Sequence, residues 1–144
     1  MNQTQNGSLL ALDVGARRIG VALASAGAYF AKPLATLDHT NDIFTEISGL
    51  AKEHDVTVIV VGYPRGLEGQ TTEQTKTIEA FVDELRTHVS VSVEWQDETL
   101  TSVKAETELA SRHKGGVYNK ADVDALAATY ILEDYLTEHP GKHA

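Results

Sequence analysis

SLLALDVGARRIGVALAS, residues Ser8 to Ser25, reads as a β-hairpin. Its apolar runs, Leu9–Val14 and Ile19–Ala24, are joined by a tight turn through Gly15-Ala16-Arg17-Arg18. Short, nearly continuous apolar runs between turn residues are the pattern of strands covered on both faces. Asp13 stands at the end of the first run. A carboxylate leaving water costs several kcal/mol unless it is paired, neutralised or metal-bound. It either accepts the turn amides that Gly15 would present or belongs to a site.

Working outward, Lys32–Leu37 (KPLATL) reads as a third strand, its proline favouring an edge. Asp38-His39-Thr40-Asn41 is a turn cluster that supplies helix N-caps. Ile43, Phe44, Ile47, Leu50 and Ala51 then recur at helical spacing, predicting an amphipathic helix over Asp42–His54. Val56–Val61 (VTVIVV) is strongly β-branched and reads as a central strand, with a Gly- and Pro-rich loop from Gly62 to Gly69. A second helix is expected over Thr72–Thr87, with Ile78, Phe81, Val82 and Leu85 on its core side. Val89, Val91, Val93 and Trp95 alternate with polar residues as a fifth strand, followed directly by Asp97-Glu98. A third helix is expected from about Thr101 to His113, ending at Gly115-Gly116. A last one runs from Lys120 to about Glu138, with Asn119 as N-cap and Asp122 completing a capping box.

The order βββαβαβαα predicts one α/β domain with a mixed five-stranded sheet and helices on both faces. Met1–Gly7 reads as a disordered leader, 8–138 as the domain and 139–144 as a flexible tail. The chain has 144 residues and no cysteine, which leaves out disulfides, thiolate metal sites and a cysteine nucleophile. No apolar run reaches membrane-spanning length, so no membrane partner is expected. Twelve basic against 21 acidic residues give a formal charge of −9, which argues against coating nucleic acid by charge alone. Any such contact must be local or bridged by cations.

On the last helix, about 100° per residue places Asp124 on the apolar face with Ala127, Ala128 and Ile131, and Asp122 on the opposite side with Thr129 and Glu133. Asp13, Asp124 and one acid of the Asp97-Glu98 pair can therefore meet at one end of the sheet. Asp97 continues the Val/Trp side of its strand and Glu98 the serine side, so periodicity leaves open which of them faces Asp13. Three close carboxylates cannot all ionise without positive charge between them. Such clusters hold Mg²⁺ or Mn²⁺, hard cations that prefer oxygen. Two ions about 4 Å apart activate a water and stabilise the leaving oxygen of a phosphodiester. The six histidines show no zinc-site spacing.

Four motifs carry a resemblance over roughly Leu9 to Leu136: Asp13-Val-Gly-Ala-Arg-Arg-Ile-Gly-Val-Ala22, the Val61-Gly-Tyr-Pro64 loop, Asp97-Glu-Thr-Leu-Thr-Ser102 and Val123-Asp-Ala-Leu-Ala-Ala128. Together they resemble the YqgF, or RuvX, family of pre-16S rRNA nucleases, also labelled Holliday junction resolvases. The resemblance implies an RNase H-like fold and a cytoplasmic, divalent-metal-dependent nuclease that matures the 5′ end of 16S rRNA. It implies Asp13, Glu98 and Asp124 as catalytic metal ligands. Two departures stand out: Thr99 replaces the arginine usual after the Asp-Glu pair, and Ala26 replaces an aspartate often found after the second strand.

Arg17, Arg18, Arg65, Lys114 and Lys120 are candidate phosphate contacts, with Tyr118 available to stack on a base. Pre-rRNA, within ribosomal precursor particles, is the expected substrate, and a monomer or weak homodimer the expected state. Three other readings compete: a branched-DNA resolvase, a non-catalytic ribosome-assembly binder, and an ATP-binding module of the sugar kinase or actin type. The last needs two such domains, and this chain has the length of one.

Overall fold

A computed structural model describes residues 7–25, 30–64, 73–98 and 120–139. The hairpin forms as read, with β1 (Ser8–Val14) antiparallel to β2 (Arg18–Ser25) and Asp13 opposite Gly20. Its turn is closed by the Gly15 amide donating to the Arg18 carbonyl at 2.9 Å. A Cβ at Gly15 would stand 2.7 Å from that same oxygen, so only glycine fits. β3 (Lys32–Asp38), α1 (Ile43–Glu53), β4 (Val56–Pro64), α2 (Glu73–His88), β5 (Ser92–Glu98) and the third described helix, α3 (Lys120–Glu138), follow.

The strands lie in the order β3-β2-β1-β4-β5, with β4 parallel to both β1 and β5. The sheet is mixed and Pro33 sits on an edge strand, where its missing N–H costs no ladder bond. Alternation along the strands makes two cores. Leu10, Leu12, Val14, Ile19, Val21, Ile59, Val61 and Val93 face α1 and α2, which contribute Ile43, Ile47, Ile78, Phe81, Val82 and Leu85. Leu9, Ala11, Ala22, Ala24 and Val60 face α3, which contributes Ala128, Ile131, Leu132, Tyr135 and Leu136. The small alanines on this second side let α3 lie close to the sheet. Each large side chain fully buried contributes about 1.5–3 kcal/mol.

Four local expectations are corrected. β4 does not end at Val61: Gly62, Tyr63 and Pro64 continue it, because Gln96, Asp97 and Glu98 of β5 supply a pairing partner. β5 begins only at Ser92 and carries Asp97-Glu98 within it, while Val89 and Val91 pack against the core ahead of the strand. The α1 N-cap is Asp42, with no side-chain cap; Thr40 Oγ1 instead accepts the Asp42 amide at 3.3 Å. Thr129 is buried, not on a solvent face, and its hydroxyl donates to the Ala125 carbonyl at 2.9 Å. The helix expected at Thr101–His113 and the Asn119 cap lie outside the described residues.

Candidate active site

Asp13 sits one residue from the end of β1, on the α3 side of the sheet with Leu9 and Ala11. Its cross-strand partner Gly20 is on the same side. A Cβ at Gly20 would overlap the Asp124 carbonyl group and stand 2.9 Å from the Ala125 nitrogen. The first turns of α3 therefore rest directly on the backbone of β2, beside Asp13. Glycine at this point is what brings the two aspartates, 111 positions apart in sequence, to neighbouring places on one face.

Arg18 shares that side of β2 with Gly20, Ala22 and Ala24. Its Nε–H donates to Asp124 Oδ2 at 2.6 Å, the side chains being 35% and 23% exposed. A charge-assisted bond of this length is strong, although partial exposure limits its net contribution to about 1 kcal/mol or less. Arg17, next in the turn, is exposed. The turn itself is tied to the end of β3. The His39 amide donates to the Arg17 carbonyl at 2.9 Å, and His39 Nδ1 to the Gly15 carbonyl at 2.7 Å.

The neighbours of β5 show which side of the sheet Asp97 takes. Gln96 Nε2 donates to Glu138 Oε2 at 3.2 Å, and Glu94 Oε1 accepts the Tyr135 hydroxyl at 2.6 Å, both on α3. Asp97 lies on the other side, lining a hollow with Tyr63, Glu79 and Trp95. Glu94 and Gln96 thus share the α3 side with Asp13, and Asp97 faces away from it. Glu98 closes β5 opposite Pro64, at the same end of the sheet as Asp13. The pairings Leu12–Val61 and Val61–Trp95 put Gln96 level with Asp13, and Glu98 two residues, roughly 7 Å of strand rise, beyond.

Asp13 and Asp124 are thus brought together, and Glu98 shares their end of the sheet. The side chains of Glu98 and Lys120 are not among those described, and Arg65, Lys114 and Tyr118 lie outside the described residues. Among the described side chains, no group of three carboxylates or histidines is close enough to hold a metal. The donors are carboxylate oxygens, which suit a hard divalent cation, and Asp124 has already drawn a cation in Arg18. The chemistry of these donors fits a divalent metal.

The sequence reading missed the Arg18–Asp124 bond, having assigned Arg18 to phosphate alone. Period-two parity from Asp13's partner Gly20 back to Arg18 was the signal that could have found it.

Residues 7–138 match the RuvX family profile, described as Holliday junction resolvase. The chain belongs to the RuvX family. It is 40% identical over 134 residues to a protein of Crocosphaera subtropica, covering 91% of this chain and 93% of that one. It is 42% identical over 130 residues to a protein of Chloroflexus aurantiacus, covering 89% and 85%. Both of these RuvX-like relatives carry the name "Putative pre-16S rRNA nuclease". Among solved structures, Thermus thermophilus RuvC superposes with a TM-score of 0.55 at 11% identity, covering 91% of this chain and 96% of that one. Fowlpox virus resolvase, solved with Holliday junction DNA, gives 0.55 at 12%, covering 94% and 99%. At such identities the likeness speaks for the fold, and the RNase H-like expectation holds.

Proposed function

We infer that this chain is a divalent-metal-dependent nuclease that hydrolyses phosphodiester bonds of structured RNA, with the 5′ end of pre-16S rRNA as its target. The observation that carries the reading is the seating of α3 on Gly20, which sets Asp124 beside Asp13 at the end of the sheet. Membership of the RuvX family and the names of its relatives support the substrate. The reading places the protein in the cytoplasm, at ribosomal precursor particles, as a monomer or weak homodimer.

Asp13, Glu98 and Asp124 would hold Mg²⁺ or Mn²⁺, which when bound lowers the pKa of an attacking water and stabilises the leaving oxygen. The protein's own part is positioning. β1 and β5 present Asp13 and Glu98 from rigid strand ends, and α3 presents Asp124 over the glycine. Arg17 and Arg18 in the hairpin turn face phosphates at that same end. Arg65, Lys114 and Lys120 extend the contacts, and Tyr118 stacks on a base. These are local contacts, as an overall charge of −9 requires.

A second reading, cleavage of branched DNA, is favoured by the fold shared with Thermus RuvC and the fowlpox resolvase. Precursor rRNA and a four-way DNA junction offered in competition separate the two. Mg²⁺- or Mn²⁺-dependent cutting of the RNA, lost in Asp13→Asn with the fold intact, is the expected result. Preferential junction cutting would move the assignment to DNA, and undiminished cutting by Asp13→Asn would remove the mechanism.

A further inference from the structure

Asp97, immediately before Glu98, lies on the opposite face of β5 and takes no part in the site above. It belongs to a hollow of about 210 Å³ lined by Tyr63, Glu79, Trp95 and Asp97. Trp95 is 38% exposed, one of two large apolar side chains in that state among the described residues. Its orientation is fixed rather than loose. The Tyr63 ring meets it edge to face, centroids 5.0 Å apart at 68°, and the Tyr63 hydroxyl is held by Glu79 Oε2 at 2.7 Å.

We propose that this hollow seats one unpaired nucleobase of the substrate strand, stacked on Trp95 with its polar edge toward Asp97 and Glu79. The proposal rests on the nuclease reading and names how that site's substrate is chosen. The volume is below the roughly 300 Å³ at which drug-sized pockets begin, so it admits a single ring system rather than a base pair. Trp95, partly exposed and braced by the Tyr63 ring, has exposed ring surface on which a base can stack. Ionised carboxylates are pure acceptors with several lone pairs each, so Glu79 can hold Tyr63 and still accept from a base. They repel phosphate, so the strand enters base first with its backbone outside.

Guanine, with neighbouring N1–H and N2–H donors, is the base that pairs both oxygens of one carboxylate. Uracil offers only one such donor. Bases inside a duplex are stacked and cannot enter, which selects single-stranded segments. The hollow lies across the sheet from the proposed chemistry, and because β5 is an edge strand a substrate strand reaches both by passing round that edge.

Trp95 is the only tryptophan in the chain, so its fluorescence reports this hollow alone. The full chain is titrated with a short uridine oligonucleotide, the same oligonucleotide carrying a central guanosine, and the latter annealed to its complement. Labelled-RNA anisotropy measures binding independently. Both single strands should quench Trp95, the guanosine strand binding roughly 5- to 10-fold tighter, while the duplex leaves the emission unchanged. Trp95→Ala should weaken single-strand binding roughly 5- to 100-fold, Trp95→Phe should restore most of it, and Asp97→Asn should erase the guanosine preference alone. Silent emission with RNA bound, equal affinity in a folded Trp95→Ala, or equal quenching by the duplex would overturn the proposal. Metal-dependent cleavage of precursor rRNA with Trp95 silent would overturn it and leave the nuclease reading standing; a protein that neither binds nor cuts RNA removes both.

Discussion

Arg18 holds Asp124 through a 2.6 Å bond from Nε to Oδ2, joining the first hairpin to a helix more than a hundred residues later. The same carboxylate is the proposed ligand of a divalent cation. On the proposed reading guanidinium and metal compete for Asp124, and a phosphate that draws Arg18 away would leave the carboxylate open to the ion. By linkage, each ligand then favours the other.

Replacing Arg18 with glutamine should raise affinity for Mn²⁺ by up to about 5-fold, the scale of a partly exposed ion pair. It should also weaken RNA binding. Calorimetric metal titration measures the first effect, with Arg17→Gln as the control for charge alone. Equal metal affinity in wild type and Arg18→Gln would show that no competition exists.

Gly20→Ala adds a methyl where the Asp124 carbonyl already lies. Overpacking of this kind costs about 1–3 kcal/mol and sometimes more, and here α3 must move off β2. Thermal unfolding should show the loss. Cleavage should fall further than stability explains, because Asp124 moves with the helix. A Gly20→Ala protein of wild-type stability and activity would refute the seating of α3 on this residue.

Asp124→Asn keeps the size of the side chain and removes its charge. Cleavage should drop by roughly 10²–10³-fold, the scale of losing one preorganised electrostatic group. Stability should change by about 1 kcal/mol or less, since the Arg18 contact is partly exposed. Single-turnover cleavage and chemical denaturation give the two numbers.

Tyr135 is fully buried and donates to Glu94, and burial first, then that bond and the Glu94 charge, push its hydroxyl pKa well above the usual value of about 10. The folded state therefore favours the neutral phenol. Its contribution to stability is complete below pH about 10 and declines as pH rises from there toward the raised folded value. Tyr135→Phe should cost about 1 kcal/mol at neutral pH and reduce the alkaline loss. Urea unfolding from pH 7 to 11 tests both.

Strands β1, β2 and β4 are legible because their apolar runs are long and bounded by turn residues, and α3 because Val123, Ala127, Tyr130 and Ile131 recur at helical spacing. The hairpin turn follows from Gly15. What the sequence hides is non-local. Gly62-Tyr63-Pro64 looks like loop until β5 pairs with it. Asp97 keeps to the Val/Trp side as the alternation says, but that this side faces away from Asp13 is set only by the pairing of β5 with β4. Arg18 reads as a free turn cation because its partner is supplied by a distant helix. Thr129 reads as surface because its hydroxyl is satisfied within its own helix and so tolerates burial.

The placement of Asp124 on the final helix has a consequence in time. Synthesis delivers Asp13 and the central strands first, and folding during translation proceeds from the N-terminus. Until α3 leaves the ribosome and docks on Gly20, the nascent chain carries an incomplete set of carboxylates. On the proposed reading, cleavage therefore begins only once α3 has docked on β2.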